Sequence, residues 1–236
     1  GRMTALGVDP AKIHVTGNTK FDAVVTEVDP ERLARLKQEN GFSPGAPILV
    51  FGSTRPGDEA VAASSWRHLR EQFPQLRLVV APRHLDRLAE ALAPFEEPVL
   101  RRSEVKGGRP PGEERVFFLD TVGELVSFYA LGSVAVVGWS MLPGGGGHNP
   151  LEPAALGVPT VFGPYMSNFL DPAAVLVAAR GAIQVSRPED LTGVLAGLLN
   201  DPEECRRMGV RARQAVLDNR GAIEKNVDLI EAVLRD

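Results

Sequence analysis

Four glycines, Gly144 to Gly147, run directly into His148-Asn149-Pro150-Leu151-Glu152-Pro153. Glycine lets a backbone reach positive φ and approach a ligand with no Cβ in the way. Asn149 is a good N-cap, Pro150 suits the first helical position, and Glu152 follows within the first turn. Gly157 then ends a short helix. A glycine loop opening a helix offers amide N–H groups and the positive end of a dipole, which together suit a phosphate. The same residues also describe an ordinary capped helix behind a surface loop.

Other residues able to do chemistry sit in short loops after apolar runs: Gly52-Ser53-Thr54, Pro82-Arg83-His84, Asp120-Thr121 and Gly163-Pro164. Hydroxyls, glycines, an arginine and histidines are a mixture that suits a phosphorylated ligand. Arg83 offers a planar fork to a phosphate or a base carbonyl, or else caps a surface carboxylate. His84 either touches the ligand or starts a helix. His148, between the glycines and the cap, reads as a ligand contact. A carboxylate at Glu152 would repel a phosphate on the same turn. It therefore takes ribose hydroxyls, or closes a capping box with Asn149. Asp120 and Glu124 read as turn and cap residues. The four histidines are widely spaced and the lone Cys205 has no partner, so no metal site is expected. No Gly-x-Ser-x-Gly elbow is present, which argues against a serine hydrolase.

The elements that must position these residues follow from periodicity. Ile48–Phe51, Leu78–Ala81, Val116–Leu119, Val134–Val137, Val158–Phe162 and Ala182–Val185 are short apolar runs of the buried-strand type. Helical spacing separates them: Val61, Trp66, Leu69 and Phe73 in one helix, Leu191, Val194 and Leu198 in another. Six strands alternating with helices mean α/β class: a doubly wound, mostly parallel, Rossmann-like sheet. Its βα loops all emerge at the carboxyl edge, where such sheets bind ligands. No GxGxxG follows the first strand, so an ordinary dinucleotide domain is not expected. Outside the sheet, Ile13–Gly17 reads as a short strand, Asn18–Asp22 as a turn, and Asp29-Pro30 as a helix start. Arg101 to Glu114, rich in glycine, proline and mixed charge, reads as a flexible loop.

At 236 residues the chain can bury a sizeable core. A net charge of −4 argues against general nucleic-acid binding. No run of 18 or more apolar residues is present, so no membrane-spanning helix is expected. Arg2–Gly7 reads as the tail of a helix, as in a piece of a longer protein.

Gly-Gly-His148-Asn149-Pro150-Leu151-Glu152-Pro153-Ala154-Ala155 resembles the signature of the 3-deoxy-D-manno-octulosonic acid (Kdo) transferases. Val15–Asp22, Gly52-Ser53-Thr54, Pro82-Arg83-His84, Asp120–Leu125, Phe162-Gly163-Pro164 and Asn168-Phe169 agree, in order, over nearly the whole chain. The resemblance implies one half of a GT-B glycosyltransferase that moves Kdo from CMP-Kdo to a lipid A precursor, with inversion and without a metal or cofactor. It implies that residues 1–22 lead in from an amino-terminal domain outside this chain, and that residues 23–236 bind the nucleotide sugar. That other half would carry the membrane attachment, the acceptor site and the catalytic carboxylate, placing the full-length protein at the cytoplasmic face of the bacterial inner membrane. Carried over by motif, Ser53 and Thr54 lie near the donor's phosphate or sugar, and Arg83 beside cytosine and phosphate. Gly146, Gly147, His148 and Asn149 hold the phosphate end, Glu152 takes the ribose, and Asn168 lines the same cleft. The segment Trp139–Gly145 departs from the family: it is one residue longer and lacks a basic residue before Gly-Gly-His. Tyr165 stands where a histidine is common. Two other readings fit the same pattern: a non-hydrolysing epimerase of UDP-sugars with the same shape, and a non-catalytic nucleotide-binding domain.

Overall fold

The computed structural model describes residues 2–235. Seven strands form one sheet, all neighbours parallel, in the order β3-β4-β2-β1-β5-β6-β7. They are β1 (Ile48–Thr54), β2 (Arg77–Pro82), β3 (Val99–Arg101), β4 (Val116–Phe118), β5 (Val134–Val137), β6 (Thr160–Phe162) and β7 (Ala182–Gln184). The helices are α1 (Arg2–Ala5), α2 (Pro30–Glu39), α3 (Asp58–Gln72), α4 (Leu88–Leu92), α5 (Arg102–Lys106) and α6 (Leu125–Leu131). After them come α7 (Leu151–Ala155), α8 (Leu170–Ala178), α9 (Leu191–Asn200), α10 (Pro202–Asp218) and α11 (Ala222–Arg235).

Strand alternation divides the core. Leu49, Phe51, Leu78 and Val80 point to one face and pack under Trp66 and Leu69 of α3 and Leu191 and Leu195 of α9. Ile48, Val50, Val79 and Phe117 point to the other, against Leu36 of α2 and Phe128 of α6. Both faces are covered, which is why these strands read as continuous apolar runs rather than alternating ones. A third cluster joins Val137 and Phe162 to α7, α8 and α10 and takes in Phe21, 2% exposed. Residues around Phe21 are thus packed onto this body. Asp22 reinforces that contact by accepting the N–H groups of Gly221 (2.6 Å) and Ile223 (3.0 Å) at the start of α11.

Three expectations are corrected. Ile13–Gly17 forms no strand: β3 and β7 are the sheet's edges, and a lone extended segment has no ladder to join. Val15 there is 92% exposed. Arg101 to Glu114 is not wholly a loop. It holds the end of β3 and all of α5, so the sheet has one strand more than its apolar runs reveal. Arg102 explains the order: it is buried and donates to Glu124, Glu39 and Asn40 at 2.9–3.2 Å. Finally, β1 runs on to Thr54 instead of stopping at Phe51.

Candidate functional site

The sheet order reverses between β1 and β5. In a doubly wound sheet a crevice opens there, beyond the carboxyl ends of the strands. The loop after β1 and the loop after β5 flank it, and their backbones touch. The Gly138 N–H donates to the Gly52 carbonyl at 2.8 Å, and a Cβ on Gly138 would lie 2.4 Å from the Ser53 carbonyl oxygen. Ser53 and Trp139 take positive φ, 57° and 58°, at the two lips. Non-glycine residues hold that conformation only where surrounding contacts impose it.

Asp58 imposes it at Trp139. Its Oδ2 accepts the N–H of Arg55 at 2.9 Å from one loop and of Trp139 at 2.6 Å from the other. The carboxyl is 4% exposed, and this burial pushes its pKa from 3.8 up to about 6 despite the two amides that favour the charged form. Ser140 performs a similar task one strand further on. Its hydroxyl donates to the Val137 carbonyl (2.6 Å) and accepts the Gly163 N–H (2.9 Å), tying the loops after β5 and β6. Both residues are absent from the sequence-derived site. Asp58 stands at the start of a helix, where an acidic residue is expected on dipole grounds alone, so its second role leaves no local mark.

The glycine loop lies over this clasp. Gly147 N–H donates to the Trp139 carbonyl at 2.8 Å and His148 N–H to the Gly138 carbonyl at 3.1 Å. Gly147 has φ +71°, and a Cβ there would fall 2.3 Å from the Met166 sulfur. Asn168 backs the loop from the β6 side: its N–H donates to the Gly146 carbonyl at 2.9 Å, and its side-chain amide to the Gly147 carbonyl at 3.5 Å. A Cβ on Gly146 would strike that amide. Lys20 fixes Asn168 in turn, with Nζ donating to its carbonyl at 2.6 Å and resting 4.2 Å over the Phe169 ring.

The helix mouth offers fewer amides than the sequence implies. Asn149 Oδ1 accepts the Leu151 N–H at 3.1 Å, as an N-cap does, and Pro150 and Pro153 have no N–H to give. Glu152 alone keeps a first-turn amide, and α7 is only five residues long. Positive charge at the site therefore comes mainly from side chains. Burial first, and then the charges of Arg55, Arg83 and His84, hold the His148 imidazole neutral, with its pKa lowered from 6.5 to about 4. The His148 ring lies 5.5 Å from the Trp139 ring, and its Nε2 is buried without a partner. Arg83 is exposed and pairs with no carboxylate among the described residues. Glu152 is half-buried. Burial raises its pKa, while Asn149 Nδ2 at 3.4 Å and the Arg83 charge oppose that rise.

Of the expected site residues, Ser53, Arg83, His148, Asn149 and Glu152 come together at this edge, with Gly146, Gly147 and Asn168 forming the wall behind. Thr54 does not face the crevice. It is fully buried, and its hydroxyl donates to Glu59 Oε1 at 2.8 Å. Two open hollows border the loop after β1. One of about 110 Å³ is bounded by Ser53, Arg83 and Thr121. The other, about 230 Å³, is bounded by Arg55, Asp58, Trp139 and Gly145. A larger hollow of about 500 Å³ lies at the opposite, amino edge, between Pro47, Pro159 and Leu198, and none of the expected residues line it. Among the described residues no helix is long and apolar enough to cross a membrane.

No protein-family model matches the chain. Curated relatives do. A 3-deoxy-D-manno-octulosonic acid transferase of Haemophilus influenzae is 31% identical over 99% of this chain and 54% of its own length. One of Bordetella pertussis is 31% identical over 92% of this chain and 51% of its own. The chain thus spans about half the length of the curated relatives it matches. Among solved structures, the C-terminal CMP-Kdo binding domain of WaaA from Acinetobacter baumannii is 26% identical, with a TM-score of 0.71 over 79% of this chain and 96% of that one. The sheet has the architecture of a Rossmann-like half of a GT-B fold.

Proposed function

We propose that this chain, a homologue of the Kdo transferases along nearly its whole length, is their nucleotide-sugar-binding half, with CMP-Kdo as the donor. One observation carries the reading. The crevice at the β1/β5 reversal gathers Ser53, Arg83, His148, Asn149 and Glu152, the residues that the resemblance assigns to the donor.

In this reading a hydroxyl of a lipid A precursor attacks the anomeric carbon of Kdo from the side opposite the phosphate. The new C–O bond forms as the bond to the phosphate oxygen breaks, and configuration inverts. The hydroxyl proton goes to a carboxylate outside this chain, and CMP departs. Charge growing on the phosphate is met by the Arg83 guanidinium and by the one first-turn amide left free, that of Glu152. Neutral His148, buried and unpartnered at Nε2, donates to the same group as the tautomer that carries its proton there. Glu152 takes the ribose hydroxyls. Its raised pKa fits a carboxylate that awaits hydrogen-bond donors. The segments outside this chain supply the acceptor site and the attachment to the cytoplasmic face of the inner membrane.

Calorimetry with CMP and UDP tests the assignment. CMP binds preferentially in this reading. A clear preference for UDP would instead favour the epimerase, and binding of neither would leave a non-catalytic domain.

A further inference from the structure

Arg55 has no part in the family resemblance, and its surroundings call for a partner. Its guanidinium carbon lies over the Trp139 ring, 4.5 Å from the centroid. Its Nε is buried and meets no acceptor among the described residues. The adjacent carboxylates are committed elsewhere. Asp58 accepts the backbone N–H groups of Arg55 and Trp139, and Glu59 accepts Thr54 Oγ1 and pairs with Arg87 at 3.5 Å. In a chain of net charge −4, this cation forms no ion pair with a carboxylate among the described residues.

It also faces an open space. Arg55, Asp58, Trp139, Gly144 and Gly145 bound the hollow of about 230 Å³, and the Asp58 carboxylate there is held by two backbone N–H groups. The charges of both Arg55 and Arg83 act on His148. The crevice therefore has a second guanidinium besides Arg83 near the neutral imidazole. A guanidinium held over an aromatic ring keeps its planar fork of N–H donors, which can grip a carboxylate with two parallel hydrogen bonds.

We propose that Arg55, lying over Trp139, binds the carboxylate of an acidic sugar whose phosphate is held at Arg83. This rests on the donor assignment above, because an octulosonic acid linked to CMP carries two anions next to each other. Arg55 is then the residue that separates an acidic-sugar donor from the bare nucleotide. It also supplies positive charge to a glycine loop that lacks the basic residue expected before Gly-Gly-His148.

Stopped-flow tryptophan fluorescence of this chain tests the proposal, since Trp139 reports from the site and the chain has only two tryptophans. CMP and freshly prepared CMP-Kdo are titrated against the wild type, Arg55→Met and Arg55→Lys, with thermal melts to confirm folding. Loss of a charge-assisted pair should weaken CMP-Kdo binding by about tenfold or more in Arg55→Met, while CMP affinity changes by less than about threefold. Arg55→Lys should recover part of the loss, because it keeps the charge without the fork. Equal losses for both ligands, or no loss for either, would overturn the assignment of Arg55. Wild-type protein that binds neither CMP nor CMP-Kdo would overturn the donor reading itself, a distinct result.

Discussion

Replacing Asp58 by Asn isolates the electrostatic strain of the clasp at the switch point. The Asp58 carboxyl is raised from 3.8 to about 6 by burial, and only backbone amides and Arg87 offset it. Folding therefore disfavours its ionised form. Below pH 3.8 the group is protonated in both states and imposes no penalty. As pH rises, the unfolded chain loses this proton first, and stability falls until the folded carboxyl ionises too. At 1.36 kcal/mol per pH unit the full penalty is about 3 kcal/mol, of which about 1 kcal/mol is already felt at pH 4.5. Asparagine keeps the shape and one carbonyl acceptor for the two N–H groups but never ionises. Urea unfolding of wild type and Asp58→Asn across pH 4.5–7.5 gives a difference in which the other titrating groups cancel. That difference should shift in favour of the variant by about 2 kcal/mol from the acidic to the neutral end. A difference that stays flat within error, or that moves toward the wild type as pH rises, refutes the reasoning. The first result would mean that water reaches the carboxyl, the second that its amide contacts outweigh its burial.

Three further outcomes follow from single residues. The His148 ring protons, followed by NMR, should titrate near pH 4, well below a free imidazole, and the midpoint should rise when CMP brings its phosphate beside the ring. A midpoint near 6.5, unmoved by CMP, would place the ring in solvent. Gly147→Ala must adopt φ +71° and push a methyl against the Met166 sulfur and the Tyr165 carbonyl. It should cost about 1–3 kcal/mol in urea unfolding and weaken CMP binding more than tenfold, roughly, since the loop must move off Asn168. Arg102→Met should destabilise by about 3 kcal/mol by leaving Glu124 buried with only Lys106 and Thr121, and urea midpoints check this. A loss below roughly 1 kcal/mol would mean that those two partners suffice.

What the sequence determined is whatever a residue and its near neighbours settle between them. Ile48–Phe51 and Val134–Val137 had to be strands covered on both faces, because four consecutive apolar residues leave no polar side to expose. Asn149, Pro150 and Gly157 marked both ends of α7, because caps act within one turn. From such elements alone the doubly wound fold was legible, and with it the carboxyl edge at which Arg83, His148 and Glu152 lie. Tertiary structure decided the remainder, where the deciding contact spans many residues. Asp58 gains its role from Trp139, and Thr54 turns inward to Glu59, against its expected place in the crevice. Arg102 orders a segment that reads as a loop only because Glu124 and Glu39 reach it from elsewhere in the chain. Ile13–Gly17 shows the converse. Its residue types permit a strand, but a strand exists only where a neighbouring strand completes its hydrogen bonds, and among the described residues this segment pairs with none.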